Sequence, residues 1–553
     1  MAIGLLIATG WTSVRAQEQT VGLFLNDERA YEGYTLIAPI FHTNTYLVNN
    51  EGQLVHSWEH QVGPGSAVYL LPNGNLLRGA RVTNPAINFG GLGGRMQEVT
   101  WEGAVVWEFL YSDSLHALHH DVARLPNGNV LMISYEYHSA DNAAEAGRDP
   151  ASLPTGAFWP EQIIEVRPTP PEGGEIVWTW RVWDHLIQDL DASKDNFGVV
   201  EDHPELVDIN YASARNSDWL HMNAINYNAE LDQIIMSIPG FHELWVIDHS
   251  TTSEEAAGHT GGRSGKGGDL LYRWGNPEAY RKGTSEDRRL QFQHDVQWIE
   301  PGLPGAGNMM IFDNGINRMY STVREIAPPI DENGAYLFAS DSSFSAPEEI
   351  WNYDKPGEFF SGFASGQQRL PNGNTLIAEA QTGRIFEIIE NGEIVWEYVN
   401  PVTNEGPVAQ GDSIPPISAE RPWLTNSVFR AYRYGVDYPG LQGKDLTPKG
   451  TIELAPTATD SEGDIPTGFV LSQNFPNPFN PTTAISFSVP RPSDVTLTVY
   501  NVLGQHVTTL TDGRYGQGTY VVHFDATGLP SGVYFYRLES ERVISTKMML
   551  LLQ

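Results

Sequence analysis

The sequence predicts an all-β chain: a six-bladed β-propeller over residues 20–445, followed by a small C-terminal β-sandwich over 467–553. Three observations carry this expectation. A strand motif, Gly-x-Ile/Val/Leu-Val/Leu-aromatic-x-aromatic, recurs along most of the chain. A Leu-Pro-Asn-Gly-Asn turn precedes several of its copies. After a stretch rich in Pro and Thr, the pattern changes to short strands of period two.

The strand motif stands at Gly52–Trp58, Gly103–Phe109, Gly174–Trp180, Gly268–Trp274 and Gly392–Tyr398, with a degenerate copy at Glu349–Tyr353. The turn motif stands at Leu71–Leu77, Leu125–Leu131 and Leu370–Leu376. Asn-Gly between apolar runs is a strong hairpin signal, and a type I′ turn is expected there because it takes positive φ at both central residues. Each unit then reads as four short antiparallel strands, and six such units describe a propeller. The hairpin at 45–55 and the late strand Ser427–Tyr432 are the expected pieces of a blade shared between the two ends of the ring. Aromatic residues of the motif are expected to pack between blades.

Composition narrows the function. The chain has 553 residues, 68 Asp plus Glu against 33 Lys plus Arg, a net charge of −35, and no cysteine. The missing cysteines exclude disulfide scaffolds, thiolate zinc sites and cysteine nucleophiles. The acidic excess argues against duplex nucleic acid and anionic membrane surfaces as partners. Residues 2–11 form a short apolar run, and Val14-Arg15-Ala16 resembles a signal-peptidase cut, so 1–16 is expected to be a signal peptide. It lacks a basic n-region, as expected if the true start lies upstream. The run is too short to span a membrane, and no other stretch approaches that length.

Residues 446–466 are expected to be a linker. Beyond it stand Asn477-Pro-Phe-Asn-Pro481, the Asn501-Val-Leu-Gly504 turn, Leu529–Tyr534 and Lys547. On these residues the segment 467–553 resembles the C-terminal sorting domain of the type IX secretion system of Gram-negative bacteria. The resemblance implies the type IX machinery as a partner, passage across the outer membrane, and attachment to the cell surface or release.

Chemistry is expected at the channel mouth, where the loops entering the inner strands converge. Just before the first strand of three successive units stand His120, His221 and His294, whereas the equivalent positions elsewhere are near Ser66 and at Gly366. Three imidazoles aimed at one axis suit a metal with bound water, or the roles of acid, base and nucleophile. Gly261–Gly267 has neither the spacing nor the context of a phosphate-binding loop.

Over roughly residues 30–440 the chain resembles the bacterial arylsulfotransferases. The likeness rests on His119-His120-Asp-Val, Asp218-Trp-Leu-His221-Met-Asn223, Gln293-His294-Asp, Ile311–Arg318 and Gly366–Asn374. It implies a six-bladed propeller that moves a sulfuryl group from an aryl sulfate to a phenol, without nucleotide donor, cofactor or metal. It also implies that His294 becomes sulfurylated, and that His221 and Asn223 form the pair contacting the sulfuryl or phenolic oxygen. His120, with His119 as its close alternative, would be a further active-site histidine. The family's arginine after the His-x-Asn motif is missing from Ile234–Glu243, so Arg318, Arg369 and Arg430 are the candidate replacements. Trp219 is a candidate to stack on the phenol. The readings from a different class are a metal-dependent hydrolase or lyase on the same histidines, and a noncatalytic surface propeller that binds glycans or proteins.

Overall fold

The computed structural model describes residues 19–552, except 88–89, 154–155, 213–216, 333, 419–422, 455–468, 475–476, 517 and 541–542. The expected signal peptide lies outside the described residues. The chain divides into two compact units, one ending at Ala455 and one beginning at Pro456.

Among the described residues the first unit contains six antiparallel sheets, five of four strands and one of five, that form the blades of a propeller. Blade one runs through Pro64–Leu70, Leu76–Arg81, Gly94–Val99 and Val105–Leu110. Blade two is His116–Arg124, Val130–Glu136, Glu161–Pro168 and Gly174–Arg181. Blade three is Ala224–Asn228, Gln233–Ile238, Glu243–Asp248 and Tyr272–Trp274. Blade four is His294–Trp298, Met309–Asp313, Thr322–Ala327 and Glu348–Asp354. Blade five is Gly366–Arg369, Thr375–Glu379, Arg384–Ile388 and Ile394–Val399, with Gly22–Asn26 added at its outer edge. Blade six takes its inner strand, Val428–Gly435, from the end of the propeller and the other three from its beginning: Gly33–Pro39, Thr45–Asn49 and Leu54–Trp58. Antiparallel pairing of Val428–Gly435 with Gly33–Pro39 therefore closes the ring.

Each copy of the aromatic motif is the outer strand of a blade, and its polar tip explains the recurrence. Trp58 Nε1 donates to Thr100 O, Trp107 to Gly173 O, Trp180 to Gly268 O, Trp351 to Glu390 O and Trp396 to Asn50 O, over 2.7–3.1 Å. At the remaining interface Tyr272 Oη donates to Ser345 O at 3.2 Å. Every blade thus reaches the backbone of the next by the same device: an aromatic body packed against the neighbouring sheet and one donor that satisfies a neighbouring carbonyl. The indoles of Trp58, Trp107, Trp180 and Trp396 are almost completely buried.

The Leu-Pro-Asn-Gly-Asn turns form where expected, joining the first and second strands, but they are not type I′. Only the glycine has positive φ, at Gly74, Gly128 and Gly373. Gly74 N donates to Leu71 O and Leu71 N to Asn75 O, both at 2.8 Å. Pro72 is the cause: it fixes φ near −65° at the first central position, which gives a type I turn followed by a left-handed glycine.

Residues beyond 445 continue along the propeller. Lys449 N donates to Leu54 O at 2.7 Å, and Leu454 N to Val408 O at 2.9 Å. In the second unit, Val470–Leu471, Thr482–Val489 and Gly518–Asp525 form one sheet, and Ser493–Asn501, His506–Tyr515, Gly532–Ser540 and Val543–Leu551 form another. Strict alternation puts Ile485, Phe487, Leu497, Tyr536 and Leu538 into one apolar core, which makes a β-sandwich.

Replacing Trp107 by Phe leaves the Gly173 carbonyl without its donor, and should lower unfolding stability by about 1–3 kcal/mol in denaturant titration with little change in the slope.

Candidate active site

The inner strands are irregular where they meet the channel. In blade two the pairing register slips opposite His119–Asp121, and in blade four it slips between His294 and Gln297. His120 (φ 51°), His221 (φ 55°) and Asp295 (φ 50°) are left-handed. Such bulges turn a side chain out of the ladder and toward the axis, at a cost of about 1–3 kcal/mol each. The structure brings His120, His221 and His294 into one cluster. The rings of His120 and His221 meet edge to face at 4.6 Å. Protonation of His221 would repel a charge on either of the other two.

His294 is nearly buried, and its Nδ1 lies 2.7 Å from Asn314 Oδ1. The Asn314 amide nitrogen donates to Ser361 O and Ala364 O, at 2.8 and 3.0 Å, which fixes its oxygen toward the ring. Nδ1 of His294 must therefore carry the hydrogen, and Nε2 keeps its lone pair. Burial holds the ring neutral by pushing its pKa down to about 3, against the Asn314 bond that favours the charged form. Arg318 braces the loop that presents Asn314: it donates to Asp313 Oδ2 at 2.7 Å, to Asp313 O, to Tyr320 O and to Thr322 Oγ1. Gly315 is required in that loop, since a Cβ there would lie 1.9 Å from Tyr320 O.

His221 has a different partner, with Nδ1 2.6 Å from Asp218 Oδ2. Behind this pair is Glu161, which accepts from Met222 N at 2.9 Å. Burial and then the Asp218 charge hold Glu161 well above the usual carboxylate range. His119 Nδ1 and His120 Nδ1 are 2.8 Å apart, so one donates to the other. Burial first, then neighbouring imidazoles, keep both rings well below the ordinary histidine range. His119 stacks on Tyr135 at 3.7 Å, away from the axis, whereas Gly91 lies directly over His120. Asn223 is fully buried and donates Nδ2 to Gln293 O at 3.0 Å, bracing the residue before His294.

Arg430 occupies the layer beneath the histidines. Its Nη1 donates to Asp121 Oδ2 at 2.7 Å, its Nη2 to Asn223 O at 2.9 Å, and its Nε pairs with Asp295 Oδ1 at 3.1 Å. Burial lifts the Asp295 carboxyl to about 6, against the pull of Arg430. Gly366 explains why blade five has no histidine at the repeated position: a Cβ would lie 2.3 Å from Asp295 Oδ2 and 3.0 Å from Arg430 Cγ. On the far side of this layer a cavity of about 550 Å³ continues along the axis, lined by Arg124, Trp298, Arg369 and Arg433 among others.

All three candidate arginines therefore have carboxylate partners. Arg369 does not join the histidines: it lies in the far cavity, paired with Glu325 at 2.6 Å. Trp219 is core and not a phenol platform; only 3% exposed, it packs against Phe158 and Phe241 and donates to Tyr211 O. Asp121, Asp295, Asp218 and Asn314 are the site residues that sequence reasoning missed. A faint signal existed in the two His-Asp pairs and in the Asp-Asn-Gly turn.

Unfolded histidine gains its proton below about pH 6.5, whereas folded His294 stays neutral until about pH 3. Its contribution to stability is therefore complete above pH 6.5 and is lost as pH falls through that window, at up to about 1.4 kcal/mol per pH unit. Denaturation of the His294→Asn variant should show a shallower loss of stability between pH 6.5 and 4 than the wild type.

A profile of the arylsulfotransferase (ASST) family matches residues 26–406, well over half of the chain. One for secretion system C-terminal sorting domains matches 473–551. No curated protein matches. Among solved structures, a protein of unknown function from Bacteroides caccae is 11% identical, with 67% of this chain and 94% of that one covered at a TM-score of 0.36. A streptogramin B lyase is 9% identical, with 71% and 86% covered at 0.32. A periplasmic gluconolactonase of Pseudomonas aeruginosa is 9% identical, with 66% and 96% covered at 0.32. The chain belongs to the arylsulfotransferase family and carries a type IX sorting domain that directs it to secretion or the cell surface.

Proposed function

We propose that the propeller transfers a sulfuryl group from an aryl sulfate ester to a phenolic acceptor through a covalent intermediate on His294. The observation that carries this reading is the Asn314 contact, which leaves a neutral ring with its Nε2 lone pair available as a nucleophile. In the first half-reaction Nε2 attacks sulfur, the N–S bond forms as the aryl O–S bond breaks, and the departing phenolate takes a proton from His221. The Asp218 carboxylate on Nδ1 supports the imidazolium from which that proton comes. In the second half the acceptor phenol returns a proton to His221, its oxygen attacks sulfur, and the S–N bond breaks to restore His294.

Arg430 stands nearest the histidines among the candidate arginines, but two carboxylates share its charge. Its role is to offset part of the charge of Asp121 and Asp295, which would otherwise repel the sulfate more strongly. Donors to the sulfuryl oxygens are then neutral: His120 and the second amide hydrogen of Asn223, both held rigidly, as electrostatic stabilisation requires. Asn223 also positions His294 through Gln293.

The test is release of p-nitrophenol from p-nitrophenyl sulfate, with and without a second phenol. Release by the wild type should rise with acceptor and fall about 10³-fold or more in His294→Asn. Equal release by the variant would overturn the role of His294, and no release from the wild type across several aryl sulfates would overturn the reading and leave the glycan- or protein-binding propeller. Asp218→Asn should lower kcat about 10²-fold, flatten the pH profile and leave the donor KM nearly unchanged.

A further inference from the structure

Away from the channel, three potential ligands meet on the side of the propeller. His185 ends the short 3₁₀ turn Val182–His185, directly after the outer strand of blade two. His259 and Asp269 belong to the long connection between the last two strands of blade three. One ligand atom from each of the three lies within 4.8 Å of the others.

His185 is fully buried, and its ring lies parallel to Trp180 at 5.8 Å. Its Nε2 is 2.8 Å from Ala256 O, which only accepts, so Nε2 carries hydrogen. Gly268 allows this approach: a Cβ there would lie 2.0 Å from Ala256 O and 2.6 Å from His185 Nε2. Nδ1 of His185 lies 2.9 Å from Asp269 Oδ1, and His259 brings its own Nδ1 to 2.8 Å from the same oxygen. His249 differs in meeting two separate carboxylates, Asp232 on Nδ1 and Glu165 on Nε2, whereas His185 and His259 share one oxygen. Two ring nitrogens converging on one carboxylate oxygen are satisfied together by a cation between them.

We infer that His185, His259 and Asp269 bind one zinc-class divalent cation, which clips the 249–271 connection of blade three to the end of blade two. Two imidazoles and a carboxylate suit Zn²⁺ and leave a fourth position for water. The Ala256 carbonyl is the outer partner that orients a ligating histidine. The His259 side chain is 61% exposed and provides the entry path. The role is structural, because these residues lie outside the histidine cluster.

The test uses the full-length protein, stripped with chelator and titrated with Zn²⁺ alone. The wild type should retain one zinc per chain and gain melting temperature with zinc concentration, since the ion binds only the folded state. His259→Ala, which alters an exposed side chain, should fold but weaken zinc binding by more than about 100-fold and lose the thermal shift. Asp269→Asn should do the same, while His294→Asn should keep its zinc. A wild type that retains no zinc, retention unchanged in His259→Ala, or loss of zinc in His294→Asn would each overturn the assignment. None of these readouts depends on sulfuryl transfer.

Discussion

A single guanidinium ties the propeller together at its axis. Arg430, on the inner strand of blade six, pairs with Asp121 of blade two and Asp295 of blade four, donates to the Asn223 backbone beside blade three, and stands 3.3 Å from Tyr69 Oη of blade one. Blade five meets it through Gly366, where no side chain is tolerated. All six inner strands are thus registered against one buried cation. The two aspartates are also satisfied from other directions: Asp121 accepts from Tyr69 Oη, Val122 N and Ile225 N, and Asp295 from Gln367 N. A charge cluster buried this deeply is stable only because nearly every polar atom in it has a partner.

The chemistry of the site follows from that layer. Each aspartate is the residue immediately after a channel histidine, so turning the carboxylate down to Arg430 turns the imidazole up to the mouth. The left-handed backbone at His120 and Asp295 is where this turn is made. The acidic balance of the chain, −35 overall, is only partly offset in that layer, by its one guanidinium. Beneath the histidines one cation is shared between two carboxylates, and burial keeps His119, His120 and His294 uncharged.

Features that repeat were legible in the sequence. The aromatic outer strands, the turns after the inner strands and the three histidines all recur at one place in the unit, and the two-ended blade follows from the need to close a ring. Features that depend on contacts across the ring were not. Asp121 and Arg430 are 309 residues apart, and a His-Asp dipeptide carries no mark of its distant partner. Asn314 reads as an ordinary turn residue until its amide is seen held by the backbone at 361 and 364. Neighbours in sequence do not share a direction: His221 turns to the channel, while the Trp219 indole two residues earlier faces the core. The turns depart from the type I′ that Asn-Gly alone favours, because the proline before it fixes φ at the first central position.

The closing blade has a consequence for maturation. Its outer three strands come from residues 33–58 and its inner strand from 428–435, and strand Gly22–Asn26 lies on the edge of blade five. Proteolytic trimming is therefore tolerated very unequally at the two ends. Removal of everything after Ala455 takes no strand from the ring, whereas an amino-terminal cut only a few residues beyond the expected leader would strip an edge, and a slightly deeper one would unlatch the circle.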